Sequence, residues 1–250
     1  MPQKFSTERS RPPVEETDER GRTRRTTRNR DQRRGTPQGA PISPLLANLY
    51  MRRFVYGWKV LGYERRLDAH IVNYADDFVL CCRGTAHRAD RAMRRIMRSI
   101  GLTVNEEKTC IRRLPDETVD FLGYTIGRCH SARTGRSYIG TRPSKPSVQR
   151  VVRSVSDLTG RNTLWRDARD VVDDLNRLLR GWANYYCLGP VSRAYRAVDA
   201  HVTTRLRRWL CRKHKQASRG TARYPDERLY EKYGLIRLPV LTRSLPWANA

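Results

Sequence analysis

No stretch of this sequence is apolar for long enough to cross a bilayer. Its first residues lack the basic, apolar, small-residue succession of a secretory signal. The expectation is an intracellular, cytoplasmic protein with no membrane partner. The six cysteines, at 81, 82, 110, 129, 187 and 211, include no Cys-x-x-Cys pair, and no histidine stands at zinc-finger spacing from two of them. That argues against a structural zinc site, and without a secretory signal a disulfide framework has no support. Cys81 and Cys82 read as buried small apolar residues. Acidic residues are also scarce: 25 Asp and Glu face 51 Lys and Arg, a net charge of +26. Self-repulsion of that size works against compaction unless a polyanion neutralises it, so nucleic acid is the natural partner.

Residues 1–34 are poor in apolar side chains, holding only Met1, Phe5 and Val14. Such an arm cannot bury enough surface to offset its ordering entropy, and disorder is expected there. Its stretch from Arg20 to Arg34 could still contact phosphate. Order is expected from Gly35. Ser43-Pro44 reads as a helix cap followed by proline in the first turn. Leu45, Leu46, Leu49, Met51, Phe54, Val55 and Trp58 then suit a mostly buried helix. Thr85 can cap another helix, whose Ala89, Ala92, Met93, Ile96, Met97 and Ile100 share one face and which Gly101 ends. Leu102–Ile111 and Val119–Ile126 look β-like. Residues 127–147, rich in Ser, Arg, Gly, Thr and Pro, read as a linker and domain boundary. From 148 to 250 two helical stripes follow, Val171 to Tyr186 and Val198 to Leu210. Arg205, Arg207, Arg208, Arg212 and Lys213 surround the second, and no acidic residue stands between His201 and Gly220. The class predicted is α+β: a mixed segment over 35–126, then an all-α one over 148–250.

One short segment stands out. Tyr74-Ala75-Asp76-Asp77 lies between two apolar runs, His70-Ile71-Val72-Asn73 and Phe78-Val79-Leu80-Cys81-Cys82. This reads as strand, turn, strand, with two carboxylates at the tip. Adjacent like charges repel, and a hard divalent cation such as magnesium is the usual compensation. A solvated Asp-Asp turn is the plain alternative.

Further motifs decide between these. Gly35-Thr36-Pro37-Gln38-Gly39 with Ile42-Ser43-Pro44-Leu45-Leu46-Ala47-Asn48 resembles the Pro-Gln-Gly motif of reverse transcriptases of the group II intron type. Tyr74-Ala75-Asp76-Asp77 matches their catalytic box. Gly101-Leu102 through Asn105-Glu106-Glu107-Lys108-Thr109 is similar to the next motif, and Phe121-Leu122-Gly123-Tyr124 to the primer grip. Arg180-Gly181-Trp182-Ala183-Asn184-Tyr185-Tyr186 resembles the signature of the maturase-specific region, or thumb, and Tyr224-Pro225 through Leu235 the stretch after it. The resemblance covers roughly residue 34 to the end. It implies a palm followed by a helical thumb, and RNA-templated DNA synthesis by nucleotidyl transfer with two magnesium ions, coupled to intron RNA binding and splicing.

Carried over, Asp76 and Asp77 are the metal ligands, and Lys108 acts near the triphosphate. Pro37, Gln38, Gly39, Tyr74 and Ala75 lie beside nucleotide, template and primer end. Phe121, Leu122, Gly123 and Tyr124 grip the primer. Arg180, Arg205, Arg207, Arg208, Arg212 and Lys213 contact RNA. The partners implied are group II intron RNA, an RNA template with a DNA primer, and deoxynucleoside triphosphates.

The sequence also departs from the family pattern. The family's fingers and its further metal-binding aspartate should precede Pro37, where only the apolar-poor arm stands; Asp18 and Asp31 have no strand context. A separate chain supplying both is one expectation. Ala40-Pro41 replaces a more usual glycine and aliphatic residue, and no endonuclease domain is expected. Three readings follow: a reverse transcriptase/maturase truncated at its N-terminus, a non-catalytic RNA-binding maturase fragment, and a degenerate remnant. The +26 charge predicts tight RNA binding that weakens steeply with salt. Fluorescence anisotropy across a salt series checks this, and an affinity indifferent to ionic strength contradicts it.

Overall fold

Pro44 supplies a fixed φ in the first turn of α1 (Ser43–Val60), where its missing N–H costs nothing. The computed structural model describes residues 14–17, 23–26, 41–131, 133–216 and 220–241, and the chain divides into two units, 1–111 and 112–250.

In the first unit, α1 is followed by the short α2 (Tyr63–Leu67), then by an antiparallel hairpin of β3 (Ala69–Tyr74) and β4 (Asp77–Cys82), then by α3 (Ala86–Ser99). Phe54 and Trp58 of α1 are fully buried, among Met51, Leu67, Ala69 and the α3 face of Ala89, Ala92, Met93, Ile96 and Met97. The Trp58 indole donates to the Ala69 carbonyl at 2.9 Å, so the ring anchors the first residue of β3. Phe54 meets Phe78 with ring centroids 5.0 Å apart. Ile100 ends α3 and Gly101 follows at φ +77°, a conformation that glycine adopts freely. Thr85 occupies the cap position of α3, but its hydroxyl donates to the Leu67 carbonyl instead of capping.

The second unit opens with a three-stranded antiparallel sheet in the order β5 (Val119–Phe121), β6 (Tyr124–His130), β7 (Ser137–Pro143). Helices α4 (Lys145–Leu158), α5 (Ala168–Tyr185) and α6 (Ser192–Lys213) follow, then the short α7 (Asp226–Glu231) and α8 (Leu238–Leu241). The stripes read from the sequence form its core: Val171, Leu175 and Leu179 with Val198, Val202, Leu206, Trp209 and Leu210. Helices and antiparallel sheets together give the expected α+β class.

Several local expectations change. The arm expected to be disordered holds an antiparallel pair, β1 (Val14–Thr17) with β2 (Thr23–Thr26). The register pairs Val14 with Thr26, Glu15 with Arg25, Glu16 with Arg24 and Thr17 with Thr23. The rest of the arm lies outside the described residues. Leu102–Ile111 forms no strand, because Asn105 Oδ1 accepts from the Glu107 and Lys108 amides and turns the chain. The expected linker 127–147 is largely sheet. Gly127 pairs with Gly140 across β6–β7. A side chain at Gly127 would meet Thr118, and one at Gly140 would meet Tyr138 and Cys129. These glycines permit close approach rather than flexibility. Cys81 is exposed and Cys82 half-buried, since successive strand residues face opposite ways. In α1 the apolar positions split: Leu45 and Leu49 are exposed while Phe54 and Trp58 are buried.

Phe54→Ala is expected to destabilise the packing of β3–β4 on α1 by about 3–5 kcal/mol. Hydrogen exchange reads this as faster amide exchange in β3 and β4; unchanged exchange there contradicts it.

Candidate functional site

The aspartate hairpin pairs in register from Ala69↔Cys82 to Tyr74↔Asp77, leaving Ala75 and Asp76 as a two-residue loop. Directly paired residues share a face. Ile71, Leu80 and Phe78 therefore turn toward the core of the first unit, and Val72, Tyr74 and Asp77 share the other face. Asp76 and Asp77 are exposed, and Tyr74 keeps 64% of its surface. Ala75 has φ +53°. Two-residue hairpin loops use glycine at such a position, and an alanine there costs about 1–2 kcal/mol. The Asn73 amide opposes that strain by donating to the Ala75 carbonyl at 2.9 Å and the Asp77 carbonyl at 3.2 Å. The carboxylates are thus presented outward on a braced turn, as hard oxygen donors suited to a divalent cation. Among the described residues, no group of three His, Cys, Asp or Glu could hold a metal.

Lys108 is exposed at the end of the Asn105 turn. Glu106 in that turn pairs with Arg94 of α3, which also binds Asp90 at 2.9 Å. These bonds raise the Arg94 pKa and tie the turn to α3. Pro37, Gln38 and Gly39 lie outside the described residues.

Phe121-Leu122-Gly123-Tyr124 belongs to the second unit. Leu122 and Gly123 form the two-residue loop between β5 and β6, with φ +50° and +76°. Positive φ at both positions is the pattern of a type I′ turn, which matches the twist of the flanking strands. The loop is bonded to α4 and α5. The Gly123 carbonyl accepts from the Ser144 amide and from Ser147 Oγ, both at 2.9 Å. Tyr186 Oη donates to Ser147 Oγ at 2.9 Å, and Tyr185 Oη to the Leu122 carbonyl at 3.0 Å. Tyr124 returns its hydroxyl to the Tyr185 carbonyl. Burial, the largest influence, raises the Tyr124 pKa and pushes that of Tyr195 up to about 12, so both stay neutral donors. Tyr195 uses its proton on the Ala183 and Tyr186 carbonyls. The motif read as a primer grip and the Arg-Gly-Trp-Ala-Asn-Tyr-Tyr motif are therefore one bonded assembly. Ser144 and Ser147 complete it and escape a motif search; their one signal is a Ser-x-x-Ser spacing at the start of α4.

The six basic residues expected to bind RNA divide into two groups. Arg205 donates to the Ser156 and Thr159 carbonyls at 2.8 and 3.2 Å, at the end of α4. Arg207 binds the Tyr224 carbonyl at 2.9 Å and pairs with Asp226. Lys213 donates to the Leu164 and Arg166 carbonyls at 3.0 and 2.6 Å and lies over the Trp209 ring. These three are engaged within the fold. Arg180, Arg208 and Arg212 are exposed.

Comparison with known proteins assigns two segments of the chain to families. Residues 6–126 match the model of the reverse transcriptase (RNA-dependent DNA polymerase) family, so the matched region takes in much of the arm that the motif resemblance left out. Residues 148–225 match the group II intron maturase-specific domain. With the two in that order, the chain belongs to the group II intron reverse transcriptase/maturase family. Retron Ec86 reverse transcriptase of Escherichia coli is 38% identical over 77 residues, 30% of this chain and 23% of that relative. The chain thus aligns with about a quarter of that protein's length. No helix among the described residues is long and apolar enough to cross a membrane.

A Cβ on Gly123 would meet Tyr186 Oη at 2.4 Å and sit at an unfavourable φ. Gly123→Ala is expected to destabilise the second unit by about 2–4 kcal/mol. Adding Tyr186→Phe removes the clashing oxygen, so the double variant should lose less than the sum of the singles. Thermal unfolding of the four proteins checks this, and simple additivity contradicts it.

Proposed function

We propose that this chain carries the palm centre and thumb of an RNA-directed DNA polymerase that also binds intron RNA as a maturase. The observation that carries the reading is the outward-facing Asp76-Asp77 pair on a braced, strained hairpin tip. Strain held in place by surrounding bonds is common where a side chain must be presented for use. In this reading the two carboxylates hold magnesium, which polymerase-type sites bind through one or two carboxylates with substrate phosphates. When bound, the metal would lower the charge barrier to attack on a triphosphate. Tyr74, on the same face as Asp77, supports the primer end, and Lys108 takes the triphosphate side. Pro37, Gln38 and Gly39 line the nucleotide and template.

The Leu122–Gly123 turn would hold the primer backbone. Its seat on Ser144, Ser147, Tyr185 and Tyr186 supports this role, because a grip must not yield when the strand moves. Of the six thumb cations predicted to contact RNA, Arg180, Arg208 and Arg212 are exposed and free to meet phosphate. Arg205, Arg207 and Lys213 instead shape the surface that presents them.

A second reading, an RNA-binding maturase that does not polymerise, is favoured by one observation. The described residues bring no third ligand to Asp76 and Asp77. We therefore expect this chain alone to bind manganese, as a magnesium probe, only weakly and to give no primer extension on an RNA template. Electron paramagnetic resonance reads the binding, which Asp76→Asn with Asp77→Asn should abolish. Binding that the double variant leaves unchanged would overturn the metal role. Strong magnesium-dependent extension, lost in Asp76→Ala, would overturn the two-ligand account.

A further inference from the structure

From Phe121 to Ser156 the chain has no acidic residue, yet it holds Arg128, Arg133, Arg136, Arg142, Lys145, Arg150 and Arg153. The whole chain carries one acid for about every two bases, so this stretch is depleted of counter-charge even by its own standard. All seven side chains are exposed. Arg128 reaches out of the stretch to Asp116 at 3.2 Å. Lys145 lies in the first turn of α4, where a cation opposes the helix dipole, so helix stability does not account for it.

The β6–β7 hairpin concentrates this charge. Two hydrogen bonds close its tip: the Gly135 amide donates to the Ser131 carbonyl and the Ser131 amide to the Arg136 carbonyl, each at 2.9 Å. Arg133 and Arg136 project from that turn. In the register of β6 and β7, Tyr138, Gly140 and Arg142 share one face. The Tyr138 ring lies across Gly140, whose lack of a side chain makes room, and it still keeps 43% of its surface. An aromatic plate flanked by free guanidinium groups is how single-stranded nucleic acid is commonly held, bases on the ring and phosphates on the cations. The reverse transcriptase match ends at residue 126 and the maturase match starts at 148, so neither includes this part of the hairpin.

We propose that the β6–β7 hairpin is a separate RNA-binding element. Arg133, Arg136 and Arg142 contact phosphates of an unpaired RNA segment, and Tyr138 stacks on one of its bases. The proposal rests on the reading of the chain as an RNA-binding maturase, and adds a surface outside the thumb cations named above.

The test uses the full chain, an unstructured uridine-rich RNA oligonucleotide, and DNA of the same sequence. Affinity is measured across a salt series. Arg133→Ser with Arg136→Ser and Arg142→Ser should weaken RNA binding by about tenfold or more and flatten the logarithmic salt slope by about 2, at roughly 0.7 per lost contact. Tyr138→Ser should weaken binding by about tenfold with the slope kept. Lysine at the three arginine positions should restore the slope, which separates lost charge from lost folding. A triple serine variant with parental slope and affinity overturns the hairpin proposal while leaving the maturase reading intact. A parent protein that binds RNA without salt dependence overturns that reading itself. Equal losses on DNA and on RNA overturn the assignment of the hairpin to RNA.

Discussion

Fifty-one basic side chains share 25 acidic ones, so much of the positive charge must be held by something other than a carboxylate. The second unit does this largely with backbone. Arg205 and Lys213 bind carbonyls where α4 ends and just beyond, and Arg207 and Arg228 bind the Tyr224 and Arg223 carbonyls. Carbonyls at helix ends lack partners and carry partial negative charge, so they can stand in for missing acids. Aromatic faces take others: Lys213 over Trp209, Arg228 over Tyr224, Arg237 over Tyr230. The cations left over stand on the surface. This division, more than the number of charges, separates structural cations from those available to a polyanion.

The two motif centres are built alike. Each is a two-residue hairpin loop with a non-glycine residue at positive φ, Ala75 in one and Leu122 in the other. Each is braced by side chains bonding to loop carbonyls: Asn73 in the first, Ser147 and Tyr185 in the second. A loop so held presents its tip at a fixed angle. For a carboxylate pair that would bind a cation, and for a turn that would bear on a strand, positional stiffness is what the chemistry needs.

Much of this was legible in the sequence, and what was not has physical causes. The aspartate hairpin, the buried face of α3, the Gly101 stop and the α5 and α6 stripes follow from local periodicity and turn chemistry. The β7 strand was hidden because Gly127 and Gly140 look like loop residues, although they serve close packing against Thr118, Tyr138 and Cys129. The Asn105 turn outcompeted a β-like run by a side-chain bond that composition does not report. The β1–β2 pairing lies in a segment whose apolar-poor composition argues against order, so only the backbone register reveals it. Among the basic residues, Arg205, Arg207 and Lys213 could not be told from Arg180, Arg208 and Arg212, because their partners are backbone atoms distant in sequence. The joining of the Phe-Leu-Gly-Tyr and Asn-Tyr-Tyr segments was invisible for the same reason.

Fold-engaged and free cations should behave as distinct sets, with RNA taking the free set. Arginine-selective dicarbonyl labelling of the full chain, read by mass spectrometry with and without RNA, tests it most directly. Arg133, Arg136, Arg142, Arg180, Arg208 and Arg212 should be labelled in the free protein and protected by RNA, while Arg205 and Arg207 should be poorly labelled in both states. Strong labelling of Arg205 and Arg207 in the free protein, or no protection of the exposed set by RNA, would contradict it.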